Sequence, residues 1–366
     1  MHPYLRKLLS FNWLLLGLML GLMAFGIYAI YSATWMRTDV FWESQIQWIF
    51  ICLPIFFVVS MIDYRWVRWG ALPVYVVGLV GLVATMFIGE KRYGARSWLD
   101  LGPLNFQPSQ LAILAGILVL ALFLSQFKTI HPFFRIVACG AIVGAPWVLI
   151  LIQPDLGSAI VWLPVILGML FIGAIPLRYL VSMVLIGVAA VPLIVNFGLK
   201  PYQKDRILVF LDPDLDPQGA GWTINQSLIA IGSGGWGGKG FRAENTLNEL
   251  GFLPSTIVHN DFIFAVLGEQ HGFLGGVILL GVFALLMLTC LYVVMSAGDD
   301  LGRLLATGVA MLLFAHIFMN IGMTVAVTPI TGLPLPLVSY GGSFLMIILI
   351  SFGLMQSVWI HRRTVL

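Results

Sequence analysis

Asp261 is the side chain in this sequence with the best claim to chemistry. It lies in His259-Asn260-Asp261-Phe262-Ile263-Phe264, after Pro254 and at the head of a long apolar run, which places it in the first turn of a helix. Position alone allows two roles. An aspartate there can cap the helix and complement its dipole. It can equally stand at the mouth of a cavity, where partial desolvation raises its pKa toward that of a working general base. His259, a lone histidine, reads as a loop residue rather than a ligand.

Other polar groups invite the same weighing. Glu269 and His271 fall about two turns deeper along the same helix. An intramembrane carboxylate is costly and marks a functional site by default, but a buried hydrogen bond to a neighbouring helix explains Glu269 slightly better. His316 and Asn320 are four apart, hence on one helix face, and suit interhelical hydrogen bonds. Asp155, in Gln153-Pro154-Asp155-Leu156-Gly157, can cap the next helix or belong to a site. The run Ile231-Gly232-Ser233-Gly234-Gly235-Trp236-Gly237-Gly238-Lys239-Gly240 lets the backbone approach either a ligand or another segment closely. Its amides could cradle phosphate oxygens, with Lys239 and Arg242 adding charge, though a flexible turn is the commoner meaning of such a run. Lys204 and Arg206 add two cations nearby. The four together could meet an anionic headgroup, whereas singly most would be solvated. Pro334-Leu335-Pro336-Leu337-Val338-Ser339-Tyr340-Gly341-Gly342-Ser343 is too rich in proline and glycine for a helix. At membrane depth such backbone is tolerated only against protein or a wet cavity, so it reads as a cavity wall.

The elements that must position these groups are hydrophobic helices. The 366-residue chain is 60% hydrophobic and 10% charged. About ten spans are each long enough to cross roughly 30 Å of hydrocarbon: 12–33, 45–62, 71–89, 107–125, 134–152, 156–174, 177–198, 261–295, 303–328 and 338–360. An all-α polytopic integral membrane protein follows, a single domain over 1–366, with one large extracytoplasmic loop, 199–260, between the seventh and eighth helices. With the N-terminus inside, Arg6, Lys7, Arg65, Arg68, Lys128, Arg135, Arg178, Arg303, Arg362 and Arg363 are all cytoplasmic. The short outer loops then hold Arg37 and the cluster Lys91, Arg92 and Arg96, which weakens the bias. Both termini are therefore expected in the cytoplasm, and Asp261 and the large loop outside. The first span follows Arg6 and Lys7 and is too long for a signal-peptide core, so it reads as a retained helix. Net charge of +3 gives no reason to expect a nucleic-acid partner. Cys52, Cys139 and Cys290 sit singly in apolar spans, which suits neither a disulfide framework nor a metal cluster. The sequence carries no phosphate-binding loop of the kind that drives ATP-dependent pumps.

With these residues in view the chain resembles the SEDS family (shape, elongation, division and sporulation), and its RodA-type rather than FtsW-type branch. The resemblance covers nearly the whole length. It is carried by Arg96-Ser97-Trp98-Leu99-Asp100-Leu101-Gly102, Phe106-Gln107-Pro108-Ser109, Gln153–Gly157, Leu211-Asp212-Pro213 and Asp216-Pro217-Gln218-Gly219-Ala220-Gly221. The glycine run, Asp261-Phe262-Ile263-Phe264 and Pro336–Ser343 complete it. The resemblance implies a peptidoglycan glycosyltransferase that polymerises lipid II at the outer face of the bacterial cytoplasmic membrane during elongation, paired with a class B penicillin-binding protein. It also implies that Asp261 is the general base, taking the proton of the acceptor GlcNAc 4-hydroxyl as that oxygen attacks the donor's anomeric carbon. Basic side chains or a divalent cation (Mg or Mn) would stabilise the pyrophosphate leaving group, with Arg206, Lys239 and Arg96 as candidates. Lys204, Arg242, Asp155 and Ser339 complete the candidate substrate-binding set.

Two positions depart from the family pattern. Many relatives carry Glu and Lys three apart at the start of the fourth helix, where this chain has Gln110 and Ile113. Joint loss suggests a pair replaced as a unit, because a lone buried charge is expensive. Asn260 stands where Thr is common, and it keeps a hydrogen-bonding side chain. Two other functions remain open. A lipid II flippase or lipid transporter would be expected to show related halves and midplane charges, whereas the polar residues here gather at one face. A non-catalytic scaffold for the transpeptidase would not need Asp261 to ionise.

Overall fold

Backbone polar groups in lipid must be satisfied within their own segment, which makes apolar runs of this length helical. The computed structural model describes residues 7–36, 40–92, 95–100, 102, 105–193, 195–196, 201–254 and 256–362, the side chains of 90–92, 95–96 and 201–202 excepted. Arg6, Arg37 and Arg363 of the charge-bias argument lie outside the described residues. The described helices, in chain order, begin with α1 (Trp13–Thr34), α2 (Phe41–Met61), α3 (Val67–Ile88), α4 (Pro108–Gln126), α5 (Pro132–Ile152) and α6 (Leu156–Ile172). They continue with α7 (Leu177–Leu193), α8 (Pro201–Leu211), α9 (Ala220–Ser233), α10 (Ile263–Ser296), α11 (Asp300–Thr324) and α12 (Gly342–Ile360). Among the described residues eight helical segments are long and apolar enough to cross a membrane, and α6 and α7 are shorter apolar helices. The protein is an all-α polytopic membrane protein.

Local sequence explains where several helices start. Asn12 and Asp155 cap α1 and α6 by accepting from Leu15 N and Ser158 N, each at 3.0 Å. Asp299 does the same for α11 through Gly302 N at 2.8 Å, and α4 and α5 open on proline, whose missing N–H costs nothing in a first turn. The most buried helices are α4, α11 and α12, with 72%, 72% and 78% of their spans inside the protein against 22–28% for α2, α3 and α5. Around that centre α12 lies on α2, α11 lies on α6 and α10, and α4 lies on α3.

Contacts between connecting segments sort into two ends. At one, Lys7 donates to the Met61 carbonyl and Arg65 reaches both Asp63 and Asp299. The same end holds the Lys128–Asp300 pair and the bond from Ser357 to the Ile62 carbonyl. At the other, Phe41 stacks on His259 and Arg242 lies over Trp35. Gln107 there bonds to Asp155.

The structure adds two features to the sequence reading. A small antiparallel sheet, β1 (Glu90–Arg92), β2 (Ala95–Asp100) and β3 (Asn105–Phe106), fills the connection between α3 and α4. The segment 199–260 is no plain loop, since it contains α8 and α9. Gly221, Ile224, Ser227 and Ala230 form a buried stripe on α9 at spacings of three, and the helix packs on α10. The density of glycine and charge around it masks this short period.

The glycine run explains a break in α10. Gly272 has φ +62° and ψ −161°, which interrupts the helix and frees its backbone groups. The run supplies partners: Lys239 N and Gly240 N donate to the Glu269 and Gln270 carbonyls at 3.0 and 2.9 Å. Phe273 N and Leu274 N donate in turn to the Gly235 and Trp236 carbonyls at 2.8 and 3.1 Å. The approach is backbone to backbone. A Cβ on Gly238 would lie 2.1 Å from the Gln270 carbonyl oxygen, and one on Gly272 would lie 2.4 Å from Gly238 N. Of the two meanings open for the run, close approach to another segment is what these residues do.

Candidate active site

Asp261 sits in a turn two residues before α10, its N–H donating to the Ile257 carbonyl at 2.8 Å. It does not cap the helix: the N-cap residue is Phe262, with no side-chain cap bond. The residue keeps partial surface exposure, but protein packs closely around its carboxyl. Burial pushes the Asp261 carboxyl up to about 7, while the positive charge of Arg206 acts in the opposite direction. A carboxyl titrating near neutrality can accept a proton from a sugar hydroxyl and release it again.

Four segments converge on it. Arg206, on α8, donates to the Ile330 carbonyl at 3.4 Å. Asn320, fully buried on α11, donates to the carbonyls of Asp261 and Leu333 at 2.9 and 2.7 Å. Gly332, between Ile330 and Leu333, has φ +69°, and a Cβ there would stand 3.5 Å from Asp261 Oδ2. The connection between α11 and α12 thus passes close to the Asp261 carboxyl at Gly332. Ser339 is a brace for the turn: its Oγ donates to the Asn260 carbonyl and accepts from Leu335 N, while Tyr340 N donates to the His259 carbonyl at 3.0 Å.

The remaining candidates lie in other contacts. Asp155 caps α6 and accepts from Ser158 Oγ at 2.7 Å, Gln107 Nε2 at 3.0 Å and Ser109 Oγ at 3.3 Å, which joins two of the sequence motifs. Lys239 pairs with the fully buried Glu269 at 2.7 Å, and Leu247 N donates to the same oxygen. Arg242 lies over the Trp35 ring at 4.2 Å and donates to Tyr31. Lys204 donates to the Asn196 carbonyl at 2.7 Å. The Arg96 side chain lies outside the described residues. His259 stacks on Phe41 with ring centroids 3.9 Å apart. Neither residue of the pair on α11 makes the expected helix-to-helix hydrogen bond: His316 bonds the Leu312 carbonyl of its own helix and packs its ring on Phe344 of α12, while Asn320 donates to carbonyls of two connecting segments. The sequence reading missed Gly332 and the 330–333 segment; Pro329, Gly332 and Pro334, so close together, were the available signal.

Among the described residues no three His, Cys, Asp or Glu side chains gather to hold a metal ion.

Two expected outcomes arise here. Asp261 titrates near 7 when folded against about 4 in an unfolded chain. A carboxyl raised in this way contributes stability that is complete below the unfolded value and lost as pH rises through the folded one. Asp261→Asn should therefore match wild type in thermal unfolding near pH 4 and exceed it at pH 8, by on the order of a few kcal/mol at most. Equal melting at both pH values would contradict the raised carboxyl. The second concerns Gln110 and Ile113, which are 2% and 0% exposed on α4. Ile113→Lys alone should destabilise by about 3–5 kcal/mol, and adding Gln110→Glu should recover much of that. Thermal unfolding of the single and double variants checks the coupling.

The family described as cell cycle protein, FtsW/RodA/SpoVE, matches residues 6–364 of the chain. The chain is 37% identical over 349 residues to the peptidoglycan glycosyltransferase MrdB of Escherichia coli (strain K12), covering 95% of this chain and 93% of that protein. A chain from a structure described as structural coordination of polymerization and crosslinking by a peptidoglycan synthase complex superposes with TM-score 0.82 at 30% identity, over 97% of this chain and 99% of that one. The crystal structure of the rod shape determining protein RodA of Thermus thermophilus superposes with TM-score 0.73 at 29% identity, over 97% and 98%.

Proposed function

The chain belongs to the FtsW/RodA/SpoVE family of cell cycle proteins, and from that premise we propose that it is a peptidoglycan glycosyltransferase polymerising lipid II during cell elongation. One observation carries the assignment of the site: a carboxyl closed in by protein, titrating near neutrality and uncommitted to helix capping, at one end of the bundle. The opposite end carries Lys7, Arg65, Lys128 and Arg303. By the positive-inside rule that end and both termini are cytoplasmic, and Asp261 faces outward.

In the proposed reaction Asp261, ionised, takes the proton of the acceptor GlcNAc 4-hydroxyl. The oxygen forms a bond to the donor's anomeric carbon as the bond from that carbon to the phosphate oxygen breaks. The electron pair leaves with undecaprenyl pyrophosphate. Arg206 is the candidate cation on the elements around Asp261, and its charge suits the developing negative charge on the phosphate. Arg96, Lys204, Lys239 and Arg242 are secondary candidates for holding the lipid-linked substrate. Lys239 would first have to leave Glu269. A class B penicillin-binding protein is the proposed partner, in line with the synthase complex to which one structural relative belongs.

Detergent solution separates this reading from transport, because a micelle has no two sides. Incubating the purified chain and its partner with lipid II should yield glycan strands. Intact lipid II after incubation, with both proteins folded, would favour transport or scaffolding.

A further inference from the structure

Asn320 is buried at 0% exposure on α11, and its side chain meets backbone rather than other side chains. Both partners are carbonyl oxygens, so the amine of the amide must face them. One N–H goes to the residue that carries the carboxylate, the other to Leu333. Oδ1 is left buried with no hydrogen-bond partner among the described residues. A buried amide oxygen left unpaired is unfavourable, and its retention here points to the value of the two donors. A hydroxyl could serve one carbonyl and a carboxylate neither.

We propose that Asn320 is a positioning residue for the reaction: its amine ties the Asp261 backbone to Leu333 and so fixes the carboxylate beside Gly332. The inference rests on the reading of Asp261 as base. The link is short and rigid. Gly332 is adjacent to Leu333, its left-handed φ of +69° brings the chain past Asp261 Oδ2, and Ile330 two residues earlier holds Arg206. One amide thus sets the base and, through the same segment, the cation beside it. Arg206 is the charged group that bears on Asp261. The titratable groups on adjoining turns are His259, stacked on Phe41, and His316, bonded within its own helix.

The test compares Asn320→Leu, Asn320→Ser and a control, His316→Leu, which changes an equally buried residue one turn away that bonds the Leu312 carbonyl and packs on Phe344. Lipid II polymerisation by the full chain with its partner is followed across pH. Asn320→Leu should lower kcat by roughly tenfold to a hundredfold with KM within about twofold, since misplacing a reacting group costs on this scale. Its acid limb should also move to lower pH, because a loosened turn admits water to the carboxyl. Asn320→Ser, with one donor left, should fall between, and it carries the test if the leucine variant does not fold. His316→Leu should leave the limb in place. An unmoved limb in both Asn320 variants, or a limb shifted equally by His316→Leu, would overturn the proposal. Activity surviving in Asp261→Ala would instead sink the base assignment itself; an inactive Asp261→Ala with wild-type behaviour in the Asn320 variants would sink this inference alone.

Discussion

Asp261→Asn should lower the rate of lipid II polymerisation by roughly 10²–10⁴-fold, the range for loss of a positioned general base. The amide has the size of the carboxylate and cannot take the proton. The Asp261 backbone bonds to Asn320 and Ile257 do not involve the changed atoms, so the turn should persist. Folding gives an independent control, since the same variant should be at least as stable as wild type above neutrality. An inactive and destabilised protein would point to a structural role instead. Substrate affinity should change little, because the proton moves only in the transition state. Glycan yield at saturating lipid II, with KM from a concentration series, separates the two.

Lys239→Met should destabilise the protein strongly by breaking a buried ion pair. It would leave Glu269, at 0% exposure, as a buried carboxylate without its 2.7 Å partner. Removing one member of a buried pair costs about 3–5 kcal/mol. The Lys239 side chain keeps 28% exposure, which argues for the lower part of that range. Glu269→Gln in the same molecule should restore most of the loss, because the amide oxygen can still accept from Leu247 N and Ser233 Oγ. Thermal unfolding of both single variants and the double gives the coupling energy. Additive losses would mean that the pair does not clamp the glycine run to the broken helix.

The sequence made the helices legible because their signal is local, and each apolar run reports its own length and boundaries to within a few residues. Asp261 was legible for a similar reason, as a carboxylate at the junction of a polar segment and a greasy one. The i, i+4 spacing of His316 and Asn320 placed them on one face, but could not tell which would look outward to the Asp261 turn. The partners of Lys239 and Arg206 were hidden. Glu269 and Ile330 lie far along the chain from them, and no periodicity links the pairs. The role of the glycine run was ambiguous until its complement was seen, since the unpaired amides at Gly272 arise from a break inside an otherwise uniform apolar helix. Strands β1 to β3 escaped because they are two to six residues long, too short for alternation to register.

The proposed reaction requires Asp261 to accept a proton, and the pH dependence of the wild-type polymerisation rate tests that most directly. With lipid II well below KM, where the rate reports the free enzyme, it should rise with pH along one acid limb centred near 7, the value to which burial pushes the Asp261 carboxyl. A rate that stays flat from about pH 5 to pH 8, a range spanning that titration, would contradict it.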